Sequence, residues 1–280
     1  MGIAKNILVA VLAFASLLQL QAGEVRKPKA EKLWGRGWTR VYHYPAPDSI
    51  DTKLAVIICP GGSYAHTMGI YTEGHEVADW FNRQGISAYV LRYRTGSVGA
   101  KYPDMMEDFQ MAMALARERS NYIAVGVVGF SAGGHLALMS AEQGGLDFLN
   151  GRGRDSKLSP DFVAAIYPVV SMQDEIVHER SRKNLLGLNL SEETKALFSM
   201  ELNVPDDMPP TFISACEDDA VVMYRNSVLM DKALEDKGIP HIFAGYKEGG
   251  HGYGSSEEKA PVAARWKYDF LNFILGYFRK

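Results

Sequence analysis

The segment that most restricts how this chain folds is Gly129-Phe130-Ser131-Ala132-Gly133, near the middle of the sequence. The apolar run before it, at 123–128, predicts a buried strand, and the small residues after Gly134 predict a helix. A turn this tight between strand and helix forces Ser131 into a strained backbone conformation and lifts its hydroxyl above the sheet. Glycines two positions either side of the serine avoid a clash there. Ser131 is therefore a candidate nucleophile.

The rest of the chain follows a rhythm that predicts an α/β domain. From about Arg40 onward, short apolar runs alternate with amphipathic runs, as in βα units on a parallel sheet. The run at 54–59 is apolar throughout, which favours a strand covered on both faces. We predict one doubly wound domain at 23–280, with helices on both faces of a mostly parallel sheet. The polar stretch at about 171–207 breaks the rhythm, and we predict a small lid insertion there.

The beginning of the chain has a different composition. Lys5 precedes an apolar run at 7–20, which the small residues Ala22 and Gly23 follow. This layout is typical of a secretory signal peptide, expected at 1–22. A membrane anchor is the alternative, but the run is shorter than the roughly 20 apolar residues that a span needs. We expect a periplasmic or secreted protein without a stable membrane span after cleavage.

Charge and motifs exclude several classes of partner. The formal net charge is −3, and no basic run is dense enough to hold a phosphate backbone, so nucleic acid is not an expected partner. Neither HExxH nor CxxC occurs, and no glycine-rich nucleotide loop is present, so we expect no metal and no cofactor.

Two cysteines, Cys59 and Cys216, end two different predicted strands. In the strand order usual for this kind of sheet, two other strands lie between them. Three spacings of roughly 4.8 Å exceed the reach of a disulfide. We therefore predict two free, buried thiols.

A serine hydroxyl needs a base to take its proton, and His251 is the best placed of seven histidines. It lies in a glycine-rich turn after the last predicted strand, where it can reach Ser131. His135 is expected to pack in the helix that leaves the turn. His66 and His75 follow the first strong strand, and contact with substrate is an open alternative for both. An ordinary surface or lid role is expected for the other three: His43, His178 and His241.

The base in turn needs a carboxylate, and Glu217-Asp218-Asp219 follows the strand that ends at Cys216. We favour Asp219, because Val221 and Val222 resemble the packed anchor that follows the acid in such loops. Asp218 is the alternative. The chain order Ser, Asp, His is that of the α/β-hydrolase fold.

Acyl transfer also requires hydrogen-bond donors for an oxyanion. The loop Pro60-Gly61-Gly62-Ser63 follows the first strong strand, and its glycines permit close approach of the backbone to a ligand. We predict that the amides of Gly62, Ser63 and Ala132 form this oxyanion hole. A plain glycine-rich turn is the alternative.

Taken together, these segments resemble the bacterial acetyl esterase and acetylxylan esterase group of the α/β-hydrolase superfamily, relatives of the hormone-sensitive-lipase-like branch. The resemblance covers nearly all the chain after residue 23. It implies removal of small acyl groups, typically acetyl, from plant cell-wall carbohydrate, with Ser131, Asp219 and His251 as the triad. The segments that carry it are CPGGSY, EGHEVADWFNRQGISAYVLRYR, VGFSAGGHLA, SRKNLLG, MPPTFISACEDDAVV and YKEGGHGYG.

The chain departs from this group at three places. Ser63 stands where a third glycine is usual, Tyr71-Thr72 replace an Asp-His pair, and Met223-Tyr224-Arg225 replace Pro-Val-Glu. The first and third of these departures affect the choice of substrate rather than catalysis.

The expected activity is that of a serine carboxylesterase that forms an acyl-enzyme. The expected partner is a small acylated sugar or polysaccharide, such as xylan or xylo-oligosaccharides. A feruloyl esterase or an exopeptidase on the same fold is the first alternative, and a carbohydrate-binding protein without turnover is the second. No carboxylate pair is placed to support glycoside hydrolysis.

Overall fold

The computed structural model describes residues 28–35, 37–149 and 158–278, so the signal peptide predicted at 1–22 lies outside the described residues. The strands are β1 (Lys29–Lys32), β2 (Arg40–Tyr44), β3 (Leu54–Cys59), β4 (Ser87–Arg92), β5 (Ala124–Phe130), β6 (Val163–Ile166), β7 (Thr211–Cys216) and β8 (His241–Tyr246). The α-helices are α1 (Glu76–Arg83), α2 (Asp104–Arg119), α3 (Ala132–Glu142), α4 (Glu179–Leu186), α5 (Glu192–Leu197), α6 (Arg225–Asp236) and α7 (Trp266–Phe278). A π-helical turn (Tyr71–His75) leads into α1.

Within the described residues these strands form one eight-stranded sheet in the order β1-β2-β4-β3-β5-β6-β7-β8. Strands β3 to β8 run parallel to one another, whereas β2 is antiparallel to both β1 and β4. The predicted α/β class and mostly parallel sheet are therefore confirmed.

Each face of the sheet is covered by helices, which explains the unbroken apolar runs. Alternate residues of β3 contribute to two separate cores: Leu54 and Val56 to one, Ala55 and Ile57 to the other. Helices α1 and α7 cover the first face, and α2, α3 and α6 cover the second. Because side chains alternate across a strand, a strand buried on both faces must be apolar at every position.

The strands predicted at 54–59 and 123–128 differ little from the observed β3 and β5, but β6 is shorter than its sequence suggests. The sequence at 161–170 predicts one long strand, whereas only Val163–Ile166 is a strand in the structure. The reason is Tyr167, whose φ of 38° turns the chain out of the sheet. An apolar run does not reveal a left-handed residue of this kind.

The N-terminal edge strand β1 was not predicted. Its pattern, Lys-Ala-Glu-Lys, is exposed at three of four positions and carries no apolar alternation. It pairs with β2 from Lys29 opposite His43 to Lys32 opposite Arg40. Charged residues on an edge strand discourage pairing with other chains. The charged composition that prevents recognition of β1 from sequence therefore suits its position at the edge of the sheet.

The 171–207 segment joins β6 to β7 and contains α4, α5 and a 3-10 turn (Met200–Leu202). Buried Asn226 of α6 holds its start, because its Oδ1 accepts hydrogen bonds from the N–H groups of Val170 and Ser171, both at 3.0 Å. That this segment acts as a lid stays a prediction.

Both cysteines are free and buried, as predicted. Strands β5 and β6 lie between β3, which ends in Cys59, and β7, which ends in Cys216. The two side chains also belong to the cores on opposite faces of the sheet. In the described part of the chain, no helix combines the length and apolarity that a membrane crossing demands.

Candidate active site

Ser131 occupies the turn between β5 and α3, with φ 53° and ψ −117°. Its N–H donates to the carbonyl of Ile166 at 3.0 Å, and its carbonyl accepts from the N–H of Val169 at 3.1 Å. These bonds hold the strained residue from the end of β6 and from the segment that follows it. The side chain stands at the carboxyl edge of the sheet, where the parallel strands of such folds build their sites.

Close contacts with backbone atoms require glycine at the positions two residues before and two residues after Ser131. A Cβ on Gly129 would lie 2.0 Å from the carbonyl oxygen of Gly133. A Cβ on Gly133 would lie 2.0 Å from the carbonyl oxygen of Cys59. Both distances are far inside van der Waals contact with backbone, so this turn forms only with glycine at both positions.

The structure brings together the three side chains predicted as a triad, and we call this arrangement the Ser–His–Asp chain. His251 Nε2 lies 2.9 Å from Ser131 Oγ, and His251 Nδ1 lies 2.6 Å from Asp219 Oδ2. A carboxylate only accepts, so Nδ1 carries the proton and donates it, and Nε2 is left as the acceptor for the serine hydroxyl. This tautomer is the one that a general base requires.

The two neighbouring aspartates have different partners. Asp219 has a side chain that is 1% exposed, and its Oδ1 accepts from the N–H groups of Val221 and Val222 at 2.8 and 2.9 Å. Asp218 instead accepts from the N–H of Gly250 at 2.8 Å, in the loop that carries His251. Asp219 therefore faces the imidazole, and Asp218 holds the backbone of its loop.

The loop after β3 lies directly against Ser131. A Cβ on Gly61 would be 3.1 Å from Ser131 Cβ. Gly62 has a φ of 135° and Ser63 a φ of 57°, and the Gly62 carbonyl accepts from the N–H of Ala65 at 2.9 Å. Among the described residues, no group accepts a hydrogen bond from the N–H of Gly62 or Ser63.

Ala132 adds a third backbone donor at the same place. It is the first residue of α3, and the first N–H groups of a helix have no acceptor within that helix. The positive end of the helix dipole also lies here. Three N–H groups beside Ser131 are thus free to stabilise a negative oxygen.

Glu73 is a part of the site that sequence reasoning missed. It lies on the π-helical turn and is 5% exposed. Its Oε2 accepts from the N–H of Gly61 at 2.7 Å, and its Oε1 accepts from the phenol of Tyr167 at 2.9 Å. Burial raises the pKa of this carboxyl, and the two hydrogen bonds oppose that rise.

Tyr167 connects Glu73 to the loop of the histidine. Its phenol oxygen accepts from the N–H of Gly254 at 3.0 Å, and its ring lies 4.6 Å from the imidazole of His251 between centroids. Glu73 and Tyr167 together therefore join the glycine loop after β3 to the loop after β8.

A signal for Glu73 was present in the sequence. The apolar residues Val77 and Phe81 have helical spacing and predict a helix at 73–84. Glu73 stands four residues before Val77 and eight before Phe81, which places it on the core-facing side of that helix. A carboxylate among core positions marks a group with dedicated partners. No local pattern signals the left-handed Tyr167.

Two other histidines, His135 and His178, lie near the site. His135 is fully buried between the Tyr64 phenol and the Phe198 carbonyl, both at 2.9 Å, which agrees with the packing role expected for it. Burial lowers the pKa of His135 to about 4. His178, at the start of α4, is close enough to the Ser–His–Asp chain that charge on His251 lowers its pKa, after the larger effect of burial.

Across the described residues, no group of three or more His, Cys, Asp or Glu side chains is arranged to hold a metal ion.

A mostly parallel sheet, a serine on the strand–helix turn and an imidazole–carboxylate pair on the loops after β8 and β7 define an α/β hydrolase. The chain belongs to the BD-FAE family, whose model matches residues 42–234. The matched region contains Ser131 and Asp219 and stops short of His251.

Three relatives illustrate this membership. An endo-1,4-beta-xylanase B of Butyrivibrio fibrisolvens is 33% identical over 205 residues, which are 70% of this chain and 32% of that protein. An acetylxylan esterase of Xylanibacter ruminicola is 29% identical over 207 residues, 71% of this chain and 41% of that protein. The chain thus spans about a third of the length of the first of these curated relatives and about two fifths of the second.

A solved structure matches over a greater share of its length. The crystal structure of an acetyl ester-xyloside bifunctional hydrolase from Caldicellulosiruptor lactoaceticus has a TM-score of 0.76 and 29% identity. The alignment covers 91% of this chain and 98% of that chain.

Proposed function

We propose that this protein is a serine carboxylesterase that removes short acyl groups, acetyl first, from xylan or xylo-oligosaccharides. The observation that carries the proposal is the Ser–His–Asp chain beside three backbone N–H groups for which the described part of the chain offers no acceptor. The carbohydrate part rests on the relatives, two of which are named as an acetylxylan esterase and an acetyl ester-xyloside hydrolase. The 171–207 segment is polar in composition, which favours a short acyl group.

In the first half-reaction His251 Nε2 takes the proton of Ser131 as Oγ attacks the ester carbonyl carbon. The carbonyl oxygen becomes negative and accepts hydrogen bonds from the N–H groups of Gly62, Ser63 and Ala132. Asp219 stabilises the imidazolium. The C–O bond to the sugar then breaks, the imidazolium gives its proton to the departing sugar oxygen, and an acyl-serine remains.

In the second half-reaction water takes the place of the sugar alcohol. His251 removes one proton from the water as its oxygen attacks the acyl carbon, and the same backbone donors stabilise the oxyanion again. The bond to Ser131 Oγ breaks, and Oγ recovers its proton from His251. The acid leaves, and the enzyme returns to its starting state.

Glu73 supports this chemistry without contact with the reacting atoms. Its bond to the Gly61 N–H orients the loop that supplies two oxyanion donors, and Tyr167 places the ring against which His251 packs. We assign Glu73 and Tyr167 as positioning residues.

The first experiment compares acetyl, butyryl and octanoyl esters of 4-nitrophenol with acetylated xylan as substrates for the wild type. We expect fast acetate release that falls steeply with acyl length. Ser131→Ala reduces kcat by about 10⁴-fold or more, because no other group forms the acyl-enzyme. Ser120→Ala, an exposed serine at the end of α2, is the matched control. Near-full activity in Ser131→Ala contradicts the mechanism, and faster turnover of a feruloyl ester or a peptide favours the alternatives on this fold.

Export is part of the proposal, on the strength of the composition of residues 1–22. Fractionation of producing cells and N-terminal sequencing of the recovered protein test it. A mature chain that begins near residue 23 in the periplasm or the medium supports export, and an uncleaved chain in the cytoplasm contradicts it.

A further inference from the structure

An aromatic groove of about 490 Å³ lies beside the glycine loop. Its lining includes Trp38, Tyr42, Met68, Tyr71, His75 and Arg92. Two of these side chains are unusually open for their size: Met68 is 76% exposed and Tyr71 is 72% exposed. Large apolar groups that stay exposed together on one face mark a surface that meets a partner or ligand.

The groove begins where the proposed oxyanion loop ends. His66, which also lines it, lies so close to Gly62 that a Cβ on the glycine would be 2.0 Å from the His66 carbonyl oxygen. Tyr71 and His75 belong to the same π-helical turn as Glu73, whose carboxylate binds Gly61. A molecule in the groove therefore lies alongside the ester site.

The rings of the groove form a connected, supported surface. Tyr71 packs on His75 at 5.6 Å between centroids, and His75 meets Tyr42 edge-on at 4.8 Å. The phenol of Tyr44 is hydrogen-bonded to His75 Nδ1 at 2.9 Å. Burial lowers the pKa of His75, which keeps this ring neutral at pH 7. Sugar rings present an apolar C–H face and a polar rim, and rigid aromatic side chains are suited to the former.

Two arginines at this face have no acidic partner among the described residues. Arg40 of β2 stands directly opposite Arg92 of β4, so both side chains point to the same face of the sheet. The Arg92 guanidinium lies over the Trp38 ring at 4.4 Å from its centroid. Like charges opposite each other on adjacent strands destabilise a sheet, so stability does not account for this pair.

The next arginine in the sequence, two residues after β4 ends, shows the contrast. Arg94 bonds to three carboxylates, those of Asp104, Glu107 and Asp108, at 2.8 to 3.0 Å. The described lining of the aromatic groove, by comparison, contains Arg92 and no carboxylate. The groove thus combines apolar rings with uncompensated positive charge.

We propose that the aromatic groove binds the sugar part of the substrate and selects an oligosaccharide that carries a carboxylate, such as a uronic acid. Tyr71 and Trp38 pack against sugar rings, and the guanidinium groups of Arg92 and Arg40 bind the carboxylate through charge-assisted hydrogen bonds. This inference rests on the proposed function for the identity of the ester and deepens it by naming the class of sugar.

Calorimetric titration tests the proposal on Ser131→Ala protein, so that no turnover interferes. Xylo-oligosaccharides with and without a glucuronic acid branch, matched in length, serve as probes. We expect the acidic probe to bind at least about fivefold tighter at low salt, with the preference reduced at 0.5 M salt because charges are then screened. Equal affinity for the two probes overturns the proposal.

Three variants assign the contributions in the same background. Arg92→Gln removes most of the preference for the acidic probe, and Arg40→Gln gives a second measurement if Arg92→Gln fails to fold. Tyr71→Ala weakens the binding of both probes about tenfold. Tyr277→Ala, an exposed tyrosine on α7, is the control and binds both as before. If Tyr71→Ala and both arginine variants bind like Tyr277→Ala, the groove is not the sugar site.

Failure of this inference and failure of the proposed function are separable. Binding is measured without turnover, and the esterase activity is measured on aryl acetates that carry no sugar. An active esterase that binds neither probe contradicts the proposed sugar-binding role of the groove and leaves the proposed function standing. A protein that binds the acidic probe and hydrolyses no ester contradicts the proposed function alone.

Discussion

The phenol of Tyr167 donates a hydrogen bond to the carboxylate of Glu73 at 2.9 Å, across 94 positions of sequence. Through this bond the glycine loop after β3 and the histidine loop after β8 share one buried network, because Glu73 also accepts from Gly61 and Tyr167 also accepts from Gly254. The glycine loop and the imidazole of His251 are thereby oriented by the same pair of side chains. Preorganisation of this kind is what electrostatic catalysis depends on.

The first prediction concerns Glu73→Gln. A glutamine offers one acceptor oxygen in place of two, so either the Gly61 N–H or the Tyr167 phenol loses its partner. We expect kcat on 4-nitrophenyl acetate to fall about 10- to 100-fold with a smaller change in KM, since a shifted oxyanion loop affects the transition state most. Glu76→Gln, an exposed residue of α1, is the matched control.

A purely structural role for Glu73 predicts a different outcome for the Glu73→Gln variant. In that case the melting temperature falls while kcat of the folded fraction stays at the wild-type level. The pH profile adds a second readout: because burial raises the pKa of Glu73, protonation on the acid side turns one of its two acceptor oxygens into a donor and lowers activity in the wild type. This contribution to the acid limb is absent in Glu73→Gln.

The second prediction separates the two adjacent aspartates. Asp219→Asn removes the acceptor of the His251 Nδ1 proton and favours the wrong tautomer, so kcat falls by about 10⁴-fold. Asp218→Asn keeps one acceptor oxygen for the glycine N–H groups of the histidine loop, and kcat falls by about tenfold or less. Steady-state kinetics on one aryl ester measure both. A larger loss in Asp218→Asn reverses our assignment of the acid.

The third prediction links His135 to acid stability. Burial lowers its folded pKa to about 4, against an ordinary value of 6.5, so the folded protein keeps it neutral while the unfolded chain takes up a proton. Its contribution is complete above pH 6.5 and is lost as the pH falls toward 4. The loss amounts to at most about 3 kcal/mol.

Urea unfolding at pH 7 and pH 4.5 measures this effect. His135→Gln keeps a donor for the Phe198 carbonyl and an acceptor for the Tyr64 phenol, but it does not titrate. We expect a smaller difference in unfolding free energy between the two pH values in this variant than in the wild type. An unchanged difference shows that other groups dominate acid unfolding.

The fourth prediction concerns the thiols. Denatured protein without reductant reacts with two equivalents of a disulfide reagent, because Cys59 and Cys216 are free and lie on opposite faces of the sheet. The folded protein reacts slowly, since burial raises the pKa of Cys59 strongly and that of Cys216 to about 11. Zero equivalents after denaturation disproves the assignment.

Local sequence patterns were sufficient to predict the strands and turns whose formation depends on residues close together in the sequence. The run at 54–59 and the glycines around Ser131 predict β3 and the serine turn because burial on both faces and steric crowding act within a few residues. The same reasoning overextended β6, since Tyr167 leaves the strand at a φ that its residue type seldom adopts. It missed β1, whose pairing depends on β2 and not on its own composition.

By itself the sequence determined the α/β class, the order of serine, acid and base, and the candidates for each position. Only the tertiary structure decided that Asp219 and not Asp218 faces His251, that Glu73 and Tyr167 hold the two loops together, and that Arg40 stands against Arg92. The physical reason is distance along the chain. His251 and Ser131 are 120 positions apart, and contacts of that kind are set by strand order and by which face of the sheet a loop covers.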